Sequence, residues 1–215
     1  RVRALCRQPG ARRLHPDRQD HQPHCRCGDA PLQPAPRAER ALAGGTNTLD
    51  ALNMVKEFRQ KDTETPVVLM GYLNPVEVIG YEKFVSYANE CGVDGLLLVD
   101  LPPEEAKDLD DVLKKFNMDQ IFLLAPTSTD ERIQYVANQA SGFIYYVSLK
   151  GVTGAATLDV SEAATRIQKI KAVTDIPVGV GFGISDAASA KAMGVAADEV
   201  IVGSAAAIEL GTAEF

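Results

Sequence analysis

The sequence predicts an α/β fold built from consecutive strand and helix units, and three observations carry that expectation. From Ala41 onward, short apolar and often β-branched runs alternate with longer segments of helical spacing. The runs start at 66, 95, 120, 143, 178 and 199, so the repeat is a strand followed by a helix-length connection. Runs such as Leu96-Leu97-Leu98-Val99 are apolar at every position rather than at alternate ones. Strands of that kind are buried on both faces, as in parallel sheets covered by helices.

The elements follow in order. Asn47-Thr48-Leu49-Asp50 opens a helix: a polar cap precedes apolar positions at Leu49, Leu52, Met54 or Val55, and Phe58, which fall on one face. A strand is predicted over 66–70. A helix over 81–91 follows, its face marked by Tyr81, Phe84, Val85 and Ala88, with Gly92 placed for a left-handed C-cap. After a strand over 95–99, a helix over 103–116 starts with Pro103-Glu104-Glu105, proline in the first turn and acids that complement the helix dipole. The series continues with strand 120–124, helix 129–140, strand 143–147, helix 161–173, strand 178–180, helix 186–193, strand 199–202 and helix 205–210.

Six such units suit a doubly wound sheet or most of an eight-stranded (β/α)8 TIM barrel. The barrel is favoured because the Gly-rich turns follow the last strands, where barrels of this type hold phosphate, and no G-x-G-x-x-G follows the first. Two units are then lacking at the front, where the composition changes abruptly. Residues 1–40 hold nine Arg and no Lys, all three His and six of the 12 Pro, whereas residues 41–215 hold three Arg and ten Lys. Only Val2, Leu5, Leu14 and Leu32 are large aliphatics there, too few for a core. The expected organisation is a non-native or disordered Arg/Pro/His-rich segment over 1–38 and a partial barrel over 39–215. A zinc site from His21, His24, Cys25 and Cys27 is disfavoured, because Cys25-x-Cys27 is tighter than structural zinc spacing.

Composition also excludes several classes. The 215 residues carry 22 Lys plus Arg against 29 Asp plus Glu, for a net charge of −7, a poor match to nucleic acid. No apolar run reaches the roughly 18 residues of a membrane span. Four Cys do not make a disulfide framework, and a reducing cytoplasm is expected.

Candidate chemistry lies at the strand ends. Gly179-Val180-Gly181-Phe182-Gly183-Ile184-Ser185 and Gly203-Ser204-Ala205 end consecutive strands, and backbone N–H groups at such turns hold a phosphate dianion. Ser148-Leu149-Lys150-Gly151-Val152-Thr153-Gly154-Ala155 begins a connection long enough to be a binding loop. Tyr72 and Asp100 also lie at C-terminal strand ends, with Asp100 read as mainly structural. Tyr145, alternating with Phe143 and Val147, can point inward.

Leu-Met-Gly-Tyr-Leu-Asn-Pro at 69–75, Asp-Gly-Leu-Leu-Leu-Val-Asp-Leu-Pro-Pro-Glu-Glu at 94–105, Ala-Pro-Thr-Ser at 125–128, Gly-Val-Thr-Gly at 151–154, Gly-Phe-Gly-Ile-Ser at 181–185 and Gly-Ser-Ala at 203–205 strongly resemble the tryptophan synthase alpha subunit, in its order and spacing. The resemblance spans about 38–210. It implies a (β/α)8 barrel that cleaves indole-3-glycerol phosphate to indole and glyceraldehyde 3-phosphate by a retro-aldol step. It implies no cofactor in this chain, pyridoxal phosphate belonging to a partner beta subunit in an α2β2 complex. By the same resemblance Gly154, Gly183, Gly203 and Ser204 form the phosphate cradle and Tyr72 and Tyr145 line the indole and glycerol pocket. Thr153 belongs to the closing loop, and Leu97 and Phe122 supply apolar walls.

The chain departs from the family in one respect. The segment of type E-L-G-x-P-F-S-D-P that carries the family's catalytic Glu, and the following L-A-D-G-P with its Asp, do not occur in these 215 residues. No catalytic residue is therefore assigned, and turnover by these residues alone is expected to be low. The alternative is a non-catalytic phosphate-binding barrel that only binds or activates a beta subunit. A sugar-phosphate epimerase or isomerase would need metal-ligand His or paired acids at strand ends, and no His occurs after residue 40.

Overall fold

The structure is a computed structural model that describes residues 3–6, 45, 47–148, 160–181, 184 and 187–202. Its strands are β1 (Arg3–Cys6), β2 (Val67–Gly71), β3 (Gly95–Leu98), β4 (Asp119–Gln120), β5 (Phe122–Leu124), β6 (Ile144–Val147), β7 (Val178–Gly181) and β8 (Glu199–Ile201). The helices are α1 (Thr48–Arg59), α2 (Leu73–Ile79), α3 (Tyr81–Cys91), α4 (Lys107–Lys115), α5 (Asp130–Gln139), α6 (Val160–Lys171) and α7 (Ala187–Gly194).

Local chemistry explains the element boundaries. Asn47 caps α1 through a capping box: its side chain accepts from the Leu49 and Asp50 N–H groups, and the Asp50 carboxylate accepts from Asn47 N–H at 2.8 Å. Of the alternatives on its face, Val55 is buried and Met54 is exposed. α3 ends as predicted at Gly92, whose φ of 91° is left-handed. The predicted helix over 103–116 is instead a 3-10 turn, Pro103–Glu105, followed by α4. α2 was not foreseen. Its Pro75 falls in the first turn, where the missing N–H would have had no helical acceptor anyway, so proline does not stop the helix.

The strands pair in the order β1-β2-β3-β4 and β5-β6-β7-β8, and every pair except β1 with β2 is parallel. Only Ile121 separates β4 from β5, and its N–H donates to Leu96 O at 2.9 Å, so the two sheets meet in one interrupted strand. Six parallel strand positions result, as the sequence implies. The antiparallel β1 falls in the segment for which the sequence offers no strand, and it occupies the free edge of β2.

Strand alternation divides the core into two layers. Val67, Leu69, Leu96, Phe122, Leu124, Ile144, Tyr146, Val178 and Val180 pack with the apolar faces of the helices. The residues between them, Val68, Met70, Leu97, Ile121, Phe143, Tyr145 and Ile201, form a separate inner cluster that Leu123 and Val147 join. The outer layer supplies most of the burial, and the inner one is the smaller cluster on the other face of the strands.

At the N-terminal rim a device repeats. Asp94 Oδ2 accepts the Val67 N–H at 2.6 Å and Asp198 Oδ2 accepts the Val178 N–H at 2.9 Å, so the acid before one strand satisfies the first donor of its neighbour. Each acid is paired with a cation from the end of an earlier helix, Arg59 for Asp94 and Lys171 for Asp198, both at 2.6 Å. These bonds fix strand register at this rim.

Candidate functional site

Of the residues singled out from the sequence, Tyr72, Asp100, Ser148 and Gly181 lie at the opposite, C-terminal rim. Because β7 and β8 are parallel and adjacent, with Gly179 opposite Glu199 and Gly181 opposite Ile201, their C-terminal ends lie side by side. Ser148 at the end of β6 joins them: its N–H donates to Gly181 O at 3.0 Å and its hydroxyl to the same oxygen at 2.8 Å. Thr153, Gly154, Gly183, Gly203 and Ser204 lie outside the described residues.

Two glycines of the Gly-rich run have a role the sequence did not reveal. Gly179 and Gly181 belong to β7 itself, which ends one residue later than predicted. A Cβ on Gly181 would stand 2.2 Å from the Tyr145 hydroxyl oxygen and 2.7 Å from Cζ, and one on Gly179 would stand 3.3 Å from Phe143 Cδ2. Their missing side chains are therefore the space in which the β6 aromatics sit. These two glycines serve packing of the inner layer, not a phosphate, which leaves Gly183 as this run's candidate for the anion.

Tyr145 is 2 % exposed and shares the inner cluster with Leu97 from β3, so the structure brings these two together. Phe122 is not with them. Ile144, its partner in register, and Leu124 belong with it to the outer layer, whereas Leu123 pairs with Tyr145. The assignment of Phe122 as a pocket wall is corrected accordingly: the alternation of β5 turns its ring toward the helices, and Ile121 and Leu123 present the inner face of that strand. The difference is one of strand parity, and the signal that finds the parity is the register with Tyr145.

Tyr72 stands at the rim. It follows β2 with extended backbone, continuing the inward alternation of Val68 and Met70, and it is 46 % exposed as the residue preceding α2. The adjacent Leu73 N–H donates to Asp100 Oδ1 at 2.7 Å. Asp100 thus ties the turn after β3 to the first turn of α2, the structural role read from its sequence position. Further around, Ser128 closes the turn after β5 by accepting the Ala125 N–H at 3.0 Å. On the outer side of this end, the Arg132 guanidinium, hydrogen-bonded to Glu104 Oε2 at 2.6 Å, holds the Glu104 carboxyl below its ordinary value. Burial pushes the Tyr146 phenol up, as its outer-layer position requires.

The geometry defines an α/β protein of parallel strand and helix units with an apolar, partly aromatic inner layer, and in barrels built this way the C-terminal strand ends are the ligand face. A family model described as tryptophan synthase alpha chain matches residues 30–214. A tryptophan synthase alpha chain from Acinetobacter baumannii is 84 % identical over 168 residues, which is 78 % of this chain and 63 % of the relative. The crystal structure of tryptophan synthase subunit alpha from Legionella pneumophila is 44 % identical with a TM-score of 0.70, over 79 % of this chain and 62 % of that one. A structure of the tryptophan synthase α2β2 complex from Pyrococcus furiosus is matched with a TM-score of 0.72 at 34 % identity, over 81 % of this chain and 73 % of that one. The chain belongs to the tryptophan synthase alpha chain family, with an incomplete version of its barrel. It spans less than two thirds of the length of the Acinetobacter relative.

Proposed function

We propose that this chain binds indole-3-glycerol phosphate in the manner of its family and takes part in the lyase step of tryptophan biosynthesis, in which the substrate gives indole and glyceraldehyde 3-phosphate. The observation that supports the reading best is the adjacency of the β7 and β8 ends above an inner layer containing Tyr145 and Leu97. In this reading Gly154, Gly183, Gly203 and Ser204 hold the phosphate, Tyr72, Tyr145 and Leu97 line the indole and glycerol pocket, and Thr153 belongs to the closing loop. Apolar walls suit the indole ring, and a phosphate bound by backbone N–H groups anchors the other end of the substrate.

Retro-aldol cleavage needs a carboxylate to accept the indole N–H proton. It also needs a second acid/base group to tautomerise the ring at C3 and take the glycerol hydroxyl proton as the C–C bond breaks. The step requires no cofactor in this chain. The segments that carry these two carboxylates in the family do not occur among the 215 residues. The residues as they stand therefore bind ligand and turn it over slowly, and association with a beta subunit is the activity they retain. That partner would carry the pyridoxal phosphate and accept the indole. This absence of carboxylates favours the second reading, a binding and activating barrel, for the isolated polypeptide.

Two assays separate the readings. Indole release from indole-3-glycerol phosphate by the chain alone is expected to have a specificity constant at least about tenfold below that of full-length relatives. Stimulation of a beta subunit, measured separately, is expected to persist. A specificity constant within about tenfold of the relatives contradicts the loss of the acid/base pair, and absence of both activities contradicts the family role.

A further inference from the structure

We propose that Ser148 is a positioning residue for the ligand pocket, acting through Gly181 on Tyr145. The inference rests on the reading of the inner layer as that pocket. At the end of β3, Val99 N–H donates to Gly71 O at 2.9 Å, the one bond that continues a parallel ladder by a residue. The end of β6 repeats that bond, from Ser148 N–H to Gly181 O, and adds the buried Ser148 hydroxyl on the same oxygen. A carbonyl oxygen has two lone pairs, so this second donor completes its capacity and fixes the Gly181 peptide more firmly than a ladder alone does.

The fixed peptide matters because of what rests on it. The Tyr145 hydroxyl lies where a Gly181 Cβ would be, at 2.2 Å from that position, so the place of the Gly181 backbone sets how deep the Tyr145 ring sits in the inner layer. Tyr145 and Ser148 stand on the same strand end three residues apart, one facing the interior and the other holding the neighbouring strand. Removing the Ser148 hydroxyl leaves the ladder bond but lets the β6 and β7 ends change their separation, and the ring follows. Ser148 itself is not placed in contact with ligand.

The test uses the full chain labelled with 3-fluorotyrosine. Its six tyrosines give six fluorine resonances, and Tyr145→Phe assigns the one in question. Ser148→Ala is expected to shift or split the Tyr145 resonance while the other five stay in place. It is also expected to weaken binding of an indolylalkyl phosphate about fivefold, the loss of one ordinary hydrogen bond. Ser148→Thr, which keeps the donor, should restore both. Gly181→Ala, pressing on the hydroxyl from the other side, should move the same resonance. An unmoved Tyr145 resonance in Ser148→Ala overturns the proposal, as does movement of all six together, which marks a merely structural role. Should Ser148→Ala not fold, Ser148→Cys, a weaker donor of similar size, is read by the same two outcomes. If the parent chain binds no indolylalkyl phosphate, the functional reading falls, while the Tyr145 resonance still decides the role of Ser148.

Discussion

Gly181→Val is expected to lower stability by about 3 kcal/mol, the upper part of the usual range for overpacked cores. The added Cβ alone would meet the Tyr145 hydroxyl at 2.2 Å, its Cζ at 2.7 Å and Ile201 Cβ at 3.3 Å, and valine adds two methyl groups beyond that. Relief is limited on both sides. Tyr145 is 2 % exposed and cannot rotate into solvent without opening the inner layer, and Ile201 belongs to the neighbouring strand β8. Chemical denaturation of the single variants and of Gly181→Val combined with Tyr145→Leu checks the cause. The smaller partner should recover more than 1 kcal/mol, roughly what contacting residues show as coupling. Additive losses would place the strain elsewhere.

Arg59→Ala is expected to cost about 2 kcal/mol, and Arg59→Lys should recover little of it. Arg59 ends α1 and is largely buried, and its guanidinium makes a set of bonds that no single cation duplicates. Nε donates to Gly92 O at 2.8 Å, Nη1 to Thr65 O at 2.6 Å and to Asp62 O at 3.2 Å, and Nη2 to Asp94 Oδ2 at 2.6 Å. The planar fork reaches three backbone carbonyls and a carboxylate at once, whereas an ammonium is one point charge. The half-exposed Asp94 rehydrates when its partner is lost, which keeps the figure below that of a fully buried pair. Lys171, the counterpart at Asp198, makes a single ion pair at 35 % side-chain exposure, so Lys171→Ala should cost well under 1 kcal/mol, as partly exposed pairs do. Equal losses at the two sites would show that the rim is held by charge alone.

The order of the six parallel strand positions was legible in the sequence because strands such as β2 and β3 are continuous apolar runs and the longer helices repeat an apolar face every third or fourth residue. Asn47 and Gly92 were legible for a different reason: capping chemistry is local, so residue type and position suffice. What escaped was set by neighbours. Whether Phe122 faces the helices or the interior depends on register with β6, and a one-residue slip reverses the answer. Gly179 and Gly181 look like loop glycines beside Gly183, and only the rings of Phe143 and Tyr145 across the strand pair reveal them as packing positions. The helix α2 was hidden by Pro75, which discourages a helix unless it falls in the first turn. Ser148 was legible only as the start of a long connection, and its role at β7 was hidden because its second bond is to a strand 33 residues away.

Under the proposed function the ligand pocket is the inner layer of the strands, with Tyr145 in its wall and Phe122 outside it. Calorimetric titration with an indolylalkyl phosphate, which lacks the glycerol hydroxyl that retro-aldol cleavage needs, tests it without turnover. Tyr145→Ala should weaken binding about tenfold or more, as loss of a buried aromatic contact does, and Phe122→Leu, which refills the outer layer, should leave it within about twofold. A chain whose affinity falls with Phe122→Leu and survives Tyr145→Ala would contradict the assignment.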